Sequence, residues 1–273
     1  MPTTTRKLLP LLAIVACTGL TAASTQTAAR PLTTDRPDAT ESPYTVEPGR
    51  VQLEISAADY TRDKNNPARD GTRTETWSVA PLNIRIGLTA STELQLVYEP
   101  HIIERVKDRA LATTTTERGA GDLTLRYKLN LANNQADGSP AWGLMPYVKL
   151  PTADDALGNG NVEGGLIVPF AMDLSGGWGF GAMTELAVVR NAADTGHRAA
   201  WLNTATVARD LTDRVGVFFE TTALVGEGKP ALTANTGFTV GVTDDLQFDA
   251  GVNFGLTRAA DDLTVFAGLA WRY

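Results

Sequence analysis

The sequence predicts an all-β fold, a transmembrane antiparallel up-and-down β-barrel of about twelve strands. Three observations lead there. Apolar residues recur at every second position over strand-length stretches, the links between those stretches alternate between long and short, and an export signal precedes them all.

The signal comes first in the chain. Arg6 and Lys7 form a basic start, Leu8 to Ala16 is apolar apart from Pro10, and the small residues through Thr27, Ala28 and Ala29 suit a signal-peptidase site. The expected signal peptide is residues 1–29, leaving Arg30 first, with a cut after Ala23 as the alternative. Its apolar run is too short to span a bilayer as a helix. Ile14-Val15-Ala16-Cys17 resembles a lipobox, which would lipidate Cys17, although apolar and small residues continue past it to Ala23 as in an ordinary signal. Cys17 is the only cysteine, so a chain starting at Arg30 has no disulfide and no thiolate metal site.

The barrel is expected over residues 50–273. Val51, Leu53 and Ile55 alternate with Gln52, Glu54 and Ser56. Leu82, Ile84, Ile86 and Leu88 enclose Asn83, Arg85 and Gly87, and Leu94, Leu96 and Tyr98 alternate with Glu93, Gln95, Val97 and Glu99. Leu123 to Leu131 alternates in the same way around Thr124, Arg126, Lys128 and Asn130. Further strands are expected at about 142–150, 162–174, 178–190, 199–211, 215–225 and 232–242. Around Trp201 the sequence does not settle which face is apolar. The clearest stretch runs from Leu246 through Phe248, Ala250, Val252, Phe254 and Leu256, with Gln247, Asp249, Gly251, Asn253 and Gly255 between them. That is the length a tilted membrane strand needs.

Connections alternate as a barrel requires. Long outer loops are expected at 61–73, 101–118, 151–161, 191–198, 226–231 and 257–262. Short inner turns centre on Ala90-Ser91, 133–139, Ser175-Gly176, Thr212-Asp213 and Asp244-Asp245. The last strand places Leu263, Val265, Ala267, Leu269, Trp271 and Tyr273 on one face. Leu269, Trp271 and Tyr273 resemble the C-terminal signal read by barrel-assembly machinery, with the aromatic pair suited to an interfacial girdle. The formal charge of −7 becomes −9 without Arg6 and Lys7. Such an acidic chain with no basic cluster points away from nucleic acid.

Thr34-Asp35-Arg36-Pro37-Asp38-Ala39-Thr40-Glu41-Ser42-Pro43, followed by Val46-Glu47-Pro48-Gly49 and Gln52-Leu53-Glu54, resembles the opening signature of outer-membrane transporters grouped as the "MetA-pathway of phenol degradation" family. Arg85-Ile86-Gly87, Gly119-Ala120-Gly121-Asp122 and Tyr147-Val148-Lys149-Leu150-Pro151-Thr152 extend the resemblance over most of the chain after the signal. It implies an outer-membrane barrel and the uptake of small organic compounds.

Strand parity assigns Glu54, Arg85, Glu93, Gln95, Glu99, Asp122, Arg126, Lys128, Lys149, Glu163, Glu185, Glu220, Gln247 and Asp249 to the inward face, because charges facing lipid cost a few kcal/mol each near the midplane. They could set selectivity in an open pore or fill a narrow lumen with ion pairs. Residues 30–49 are rich in Asp, Arg, Pro and Thr. They are expected to fold into the periplasmic mouth as a plug in which Asp35, Arg36, Asp38 and Glu41 meet lumen charges, because four charges in seven residues beside rigid prolines suit a defined shape; a loose periplasmic linker is the alternative.

Catalytic and metal signals are weak, so no catalytic residue, cofactor or metal is expected. His101 and His197 are the only histidines and fall at outer strand ends or loops. Asp154-Asp155 with Gly158-Asn159-Gly160-Asn161 lacks calcium-loop spacing, and Gly177-Trp178-Gly179-Phe180-Gly181 lacks dinucleotide spacing. The sequence thus leads to a passive channel for small organic solutes, aromatic or hydrophobic ones included, with outer-membrane lipid and the assembly machinery as partners. The alternative is a structural or surface-interaction barrel with a filled lumen. A soluble β-sandwich fits the strand lengths poorly.

Overall fold

A computed structural model describes residues 30–64, 71–154 and 156–273. The expected signal peptide, with its cleavage points and Cys17, lies outside the described residues. The described residues form fifteen strand segments and no helix. In chain order these are β1 (Val51–Asp63), β2 (Thr72–Val79), β3 (Leu82–Thr89), β4 (Thr92–Tyr98), β5 (His101–Asp108), β6 (Thr113–Gly119), β7 (Leu123–Ala132) and β8 (Ala141–Leu150). They continue as β9 (Glu163–Leu174), β10 (Trp178–Arg190), β11 (His197–Asp210), β12 (Val215–Val225), β13 (Ala231–Thr243), β14 (Leu246–Gly255) and β15 (Leu263–Arg272).

Three pairs of segments are collinear. β1 pairs with β3 over its first half and with β2 over its second; β4 and β5 continue the next stave, and β7 and β6 the one after. Fifteen segments therefore make twelve antiparallel staves. The sheet closes where β1 meets β15, from Gln52 opposite Arg272 to Arg62 opposite Leu263. Closure leaves no free edge along the barrel wall, so the backbone groups there are paired without water.

The staves break along one line. β1 has a bulge between Ser56 and Ala58. Beside it, Ala80 takes a positive φ of 56° before Pro81, and the next staves are interrupted at Glu99-Pro100 and over 120–122. A bulge inserts a residue and bends its strand, and proline removes a ladder donor, so neighbouring breaks crease the wall instead of opening one isolated gap.

The crease also corrects one expectation. The stretch 101–118 is not an outer loop. It is the β5–β6 hairpin, whose turn occupies only 109–112. Above the lipid both faces of a strand are wet, so the alternation that marks a membrane stave disappears; Thr113 to Thr116 are all exposed. The first outer link is shorter than expected too, since β1 extends to Asp63 and β2 starts at Thr72.

Burial is inverted relative to a soluble domain. The fully buried side chains include Arg85, Lys128, Gln52, Gln95, Glu54 and Glu93, whereas Leu186, Trp201, Phe219, Phe248 and Trp271 are exposed. Buried charge and an apolar exterior are the informative departures, and together they define an outer-membrane barrel. The strand at Trp201 is now resolved: Trp201 is exposed, while Ala200 and Thr204 are buried on the lumen side. Among the described residues the buried apolar core is one small cluster, in which Met145, Ile167 and Met183 are packed with Tyr147 and Leu202.

Candidate functional site

The candidate site is the lumen. Period-two geometry delivers one residue in two from each stave to it, and residues 30–47 lie inside the ring of strands, with Arg30 and Thr45 both bonded to Asn134 at the short-turn end. Its three prolines, Pro31, Pro37 and Pro43, interrupt any regular hydrogen-bonding pattern, and the Arg36–Pro37 peptide is cis. The segment is held instead by side chains of the wall.

Arg85 is the centre of the first cluster. Its guanidinium lies 2.9 Å from Glu54 Oε1, 2.9 Å from Glu93 Oε1 and 3.5 Å from Asp35 Oδ2. Lys128 Nζ reaches Asp35 Oδ1 at 2.6 Å and Glu93 Oε1 at 3.5 Å. Gln95 Nε2 donates to Asp35 Oδ2 at 2.7 Å and Gln52 Nε2 donates to Glu54 Oε1 at 2.8 Å. Four staves thus converge on Asp35. Burial pushes the Asp35 carboxyl up, but Arg85 and Lys128 outweigh it and hold it at about 2.

Two further clusters seat the rest of the segment. Arg36 is bidentate to Asp249, at 3.1 and 2.7 Å, and donates to Ser56 Oγ at 2.6 Å. The wall residue beneath it is Gly268, where an added Cβ would strike both the Ile55 carbonyl and the Arg36 guanidinium. Two staves along the wall from Asp249, on β12, Glu220 accepts from the Ala39 amide at 3.0 Å, the Thr40 hydroxyl at 2.6 Å and Asn235 Nδ2 at 2.6 Å. Burial and the nearby Glu220 raise the Asp38 carboxyl to about 8. Burial likewise raises Glu41 to about 7, although Arg126 lies 2.5 Å away.

The segment leaves the lumen through a polar collar at the short-turn end. The Val46 amide donates to Glu93 Oε2 at 2.6 Å, the Thr45 amide to Asn134 Oδ1 at 2.9 Å, and Asn130 Nδ2 to the Pro43 carbonyl at 2.9 Å. Arg272 joins Glu47 at 3.2 Å and Asp245 at 2.7 Å. An added Cβ at Gly87 would fall on the Glu47 carbonyl, so that strand needs glycine for the close approach. A cavity of about 220 Å³ remains beside the segment, between Asp38, Glu41 and Ser42 and the small wall residues Ala171, Gly181 and Ala208.

Of the residues assigned by parity, Glu54, Arg85, Glu93, Gln95, Arg126, Lys128, Glu220 and Asp249 contact the segment. Gln247 lines a cavity with Arg30 and Leu32, and its Nε2 has no hydrogen-bond partner among the described residues; the others form separate groups. Lys149 bridges Asp122 at 3.1 Å and Glu163 at 2.6 Å toward the long-loop end; Glu185 accepts from the Tyr147 hydroxyl, and Glu99 from Ser78 at 2.9 Å. Sequence reasoning missed Ser56, Asn130, Asn134, Thr204 and Arg272 as partners. For Ser56 and Asn130 the same inward parity was available, but uncharged residues carry no signal that they must face inward; Arg272 is charged but stands at the membrane interface beside Asp245, where a cation is tolerated on either face.

The residues weighed for chemistry lie elsewhere. His101 is exposed on β5, and His197 Nε2 sits 3.2 Å from the Val162 carbonyl. Asp154 Oδ2 accepts from the Ala120 amide at 2.7 Å, tying its loop to the crease, and Asp155 lies outside the described residues. Trp271 and Tyr273 pack edge-on with ring centroids 5.9 Å apart, and Leu269 pairs with Phe248.

A family model described as "Putative MetA-pathway of phenol degradation" matches residues 34–273. Among solved structures, the chain is similar to the COG4313 outer membrane channel from Pseudomonas putida F1, with a TM-score of 0.62 and 13% identity over 84% of this chain and 98% of that one. It is also similar to the NanC porin, with a TM-score of 0.50 and 10% identity over 80% of this chain and 98% of that one. Both are outer-membrane barrels by fold. No curated protein matches the chain.

Proposed function

We propose that this chain, which belongs to the MetA-pathway of phenol degradation family, is an outer-membrane channel for passive uptake of small organic solutes, aromatic and hydrophobic ones included. The observation that carries the proposal is how the lumen is filled. Residues 30–47 are held by ion pairs and side-chain hydrogen bonds, not by a β-ladder. Such an insert can shift without unzipping the wall. The wall is also self-sufficient in charge at the central cluster, where Arg85 and Lys128 face Glu54 and Glu93 even without Asp35. The segment therefore acts as a restriction, and solutes pass beside it along the cavity edged by Ala171, Gly181 and Ala208. The similar solved structures include a channel and a porin. Transport needs no catalytic group, and the histidines are assigned no role.

The filled-barrel reading has one observation in its favour: Arg85, Glu93, Gln95 and Lys128 have no solvent exposure at all. Planar-bilayer recording separates the two. The full chain is expected to give small, solute-sensitive steps, and deletion of Arg30 to Tyr44 is expected to raise conductance severalfold in a barrel that still folds. Unchanged conductance after the deletion sinks the restriction. A silent bilayer from both forms sinks the channel.

A further inference from the structure

The outer wall carries an apolar groove of about 800 Å³ that crosses β1, β2 and β12 to β15. Its floor is small, with Ala58, Ala250 and Ala267, and Tyr60, Trp77 and Phe238 are among its walls. Tyr60 and Trp77 stack with ring centroids 4.7 Å apart. Any groove on this face is filled by lipid chains, because water has no access to the hydrocarbon layer. What stands above the groove distinguishes it from ordinary wall.

Tyr60 and Trp77 face outward, and side chains on a strand alternate, so Arg62, Arg73 and Glu75 share their face. Across the ladder Glu75 is opposite Arg105 and Arg73 is opposite Lys107, which adds two more outward cations. Among the described residues, four cations of this face thus surround one carboxylate. Glu75 is already satisfied by Arg73 at 2.5 Å, Lys107 at 2.8 Å and the Tyr60 hydroxyl at 3.0 Å. Arg62 and Arg105 have no ion pair among the described residues. The buried Nε atoms of Arg62 and Arg73 have no hydrogen-bond partner there either. Tyr60 joins the two halves, its ring in the groove and its hydroxyl on Glu75.

The height of the cluster matches a headgroup. Leu53 pairs with Trp271 of the inner aromatic girdle, and Arg62 follows nine residues later on the same strand. At ~3.3 Å per residue and a tilt of ~40°, that places Arg62 about 23 Å above the girdle, close to the ~25 Å height of a barrel's apolar band. The cations therefore sit at the outer membrane surface, directly above an acyl-sized groove. Anionic headgroups are held by such clusters of Lys and Arg beside the membrane, and arginine suits phosphate in particular.

The geometry points to a binding site for a phosphorylated, multiply acylated glycolipid of the outer leaflet, with phosphate on Arg62, Arg105 and Lys107 and an acyl chain along Tyr60, Trp77 and Ala267. The site is on the outside of the barrel and is independent of what the lumen passes.

The test uses the full chain refolded in detergent, with chelator present so that no divalent ion bridges the charges. Native mass spectrometry then follows its titration with a diphosphorylated, six-chain glucosamine-disaccharide lipid. R62Q/R105Q/K107Q is expected to weaken binding at least tenfold, and removing the lipid's phosphates is expected to do the same to the unaltered protein. A267W, which fills the groove without changing charge, is expected to weaken it as well. R198Q/K229Q/R258Q, which removes three cations elsewhere, is expected to bind as the unaltered chain does. Heat-modifiable gel migration checks that each variant is folded. The proposal is overturned by undiminished binding in the folded R62Q/R105Q/K107Q or A267W variant. It is equally overturned if phosphatidylglycerol binds as tightly, or if equimolar inorganic phosphate displaces the lipid.

Discussion

Arg85 has no exposed surface and three carboxylates around it. Removing one partner of a buried ion cluster costs about 3–5 kcal/mol, because the remaining charges are left without water or counter-ion. R85M should therefore lower the barrel's stability by an amount in that range, read as a drop in the urea midpoint for the heat-modifiable gel form. D35N, which leaves Arg85 and Lys128 with Glu54 and Glu93, should cost much less. Equal effects would mean that the wall cluster depends on the segment. Asp38 gives the residue scale its pH dependence. Burial and Glu220 hold its carboxyl at about 8 when docked, against ~3.9 for a free aspartate. The docked state then binds the extra proton between those values, so its contribution to docking is complete below ~pH 4 and is lost as pH rises through 8. Glu41, raised to about 7, acts in the same direction. Asp35, held at about 2, acts oppositely, and its contribution is lost only as pH falls from ~4 through 2. Conductance should rise as pH climbs from 5 to 9, and D38N should flatten the upper part of that rise. An identical pH curve for D38N would remove Asp38 from the mechanism.

At the scale of elements, the staves behave as two populations. Those from β8 to β15 are single strands without a crease, and period two located them, although at β11 it did not settle which face is apolar. The first four staves are creased, and three of them continue beyond the crease as β2, β5 and β6. Above the crease β6 pairs only with β5. Excising Val106 to Thr115 and closing β5 to β6 with an Asn-Gly turn should leave a heat-modifiable barrel, because no membrane-depth ladder is touched. It should also weaken glycolipid binding through loss of Lys107, by less than the R62Q/R105Q/K107Q variant does. A variant that no longer folds would show that the hairpin is needed for closure. The inward charges were legible for the same reason as the strands: a carboxylate or ammonium on lipid is too costly, so parity decides its side. Ser56, Asn130 and Asn134 were not legible, since a neutral polar group tolerates either side near the interface.

On the scale of the whole molecule, the sequence by itself determined the class of fold and the direction of nearly every barrel side chain. Both follow from local rules, the two-residue repeat and the cost of charge in hydrocarbon, which act on each stretch without reference to the others. Twelve staves, the alternation of links and the inward ladder all came from those rules, and the hairpin at 101–118 escaped only where the hydrocarbon ends. The charges and prolines of residues 30–49 favour a plug over a linker but do not fix which wall residues it meets, because those contacts join positions as distant as Arg36 and Asp249. Only closure of β1 onto β15 brings such pairs together. The outward cluster of Arg62, Arg73, Arg105 and Lys107 was likewise invisible as a cluster, since it is assembled across three strands. Periodicity fixes which way a side chain faces; which others it faces is decided by the register of the closed sheet.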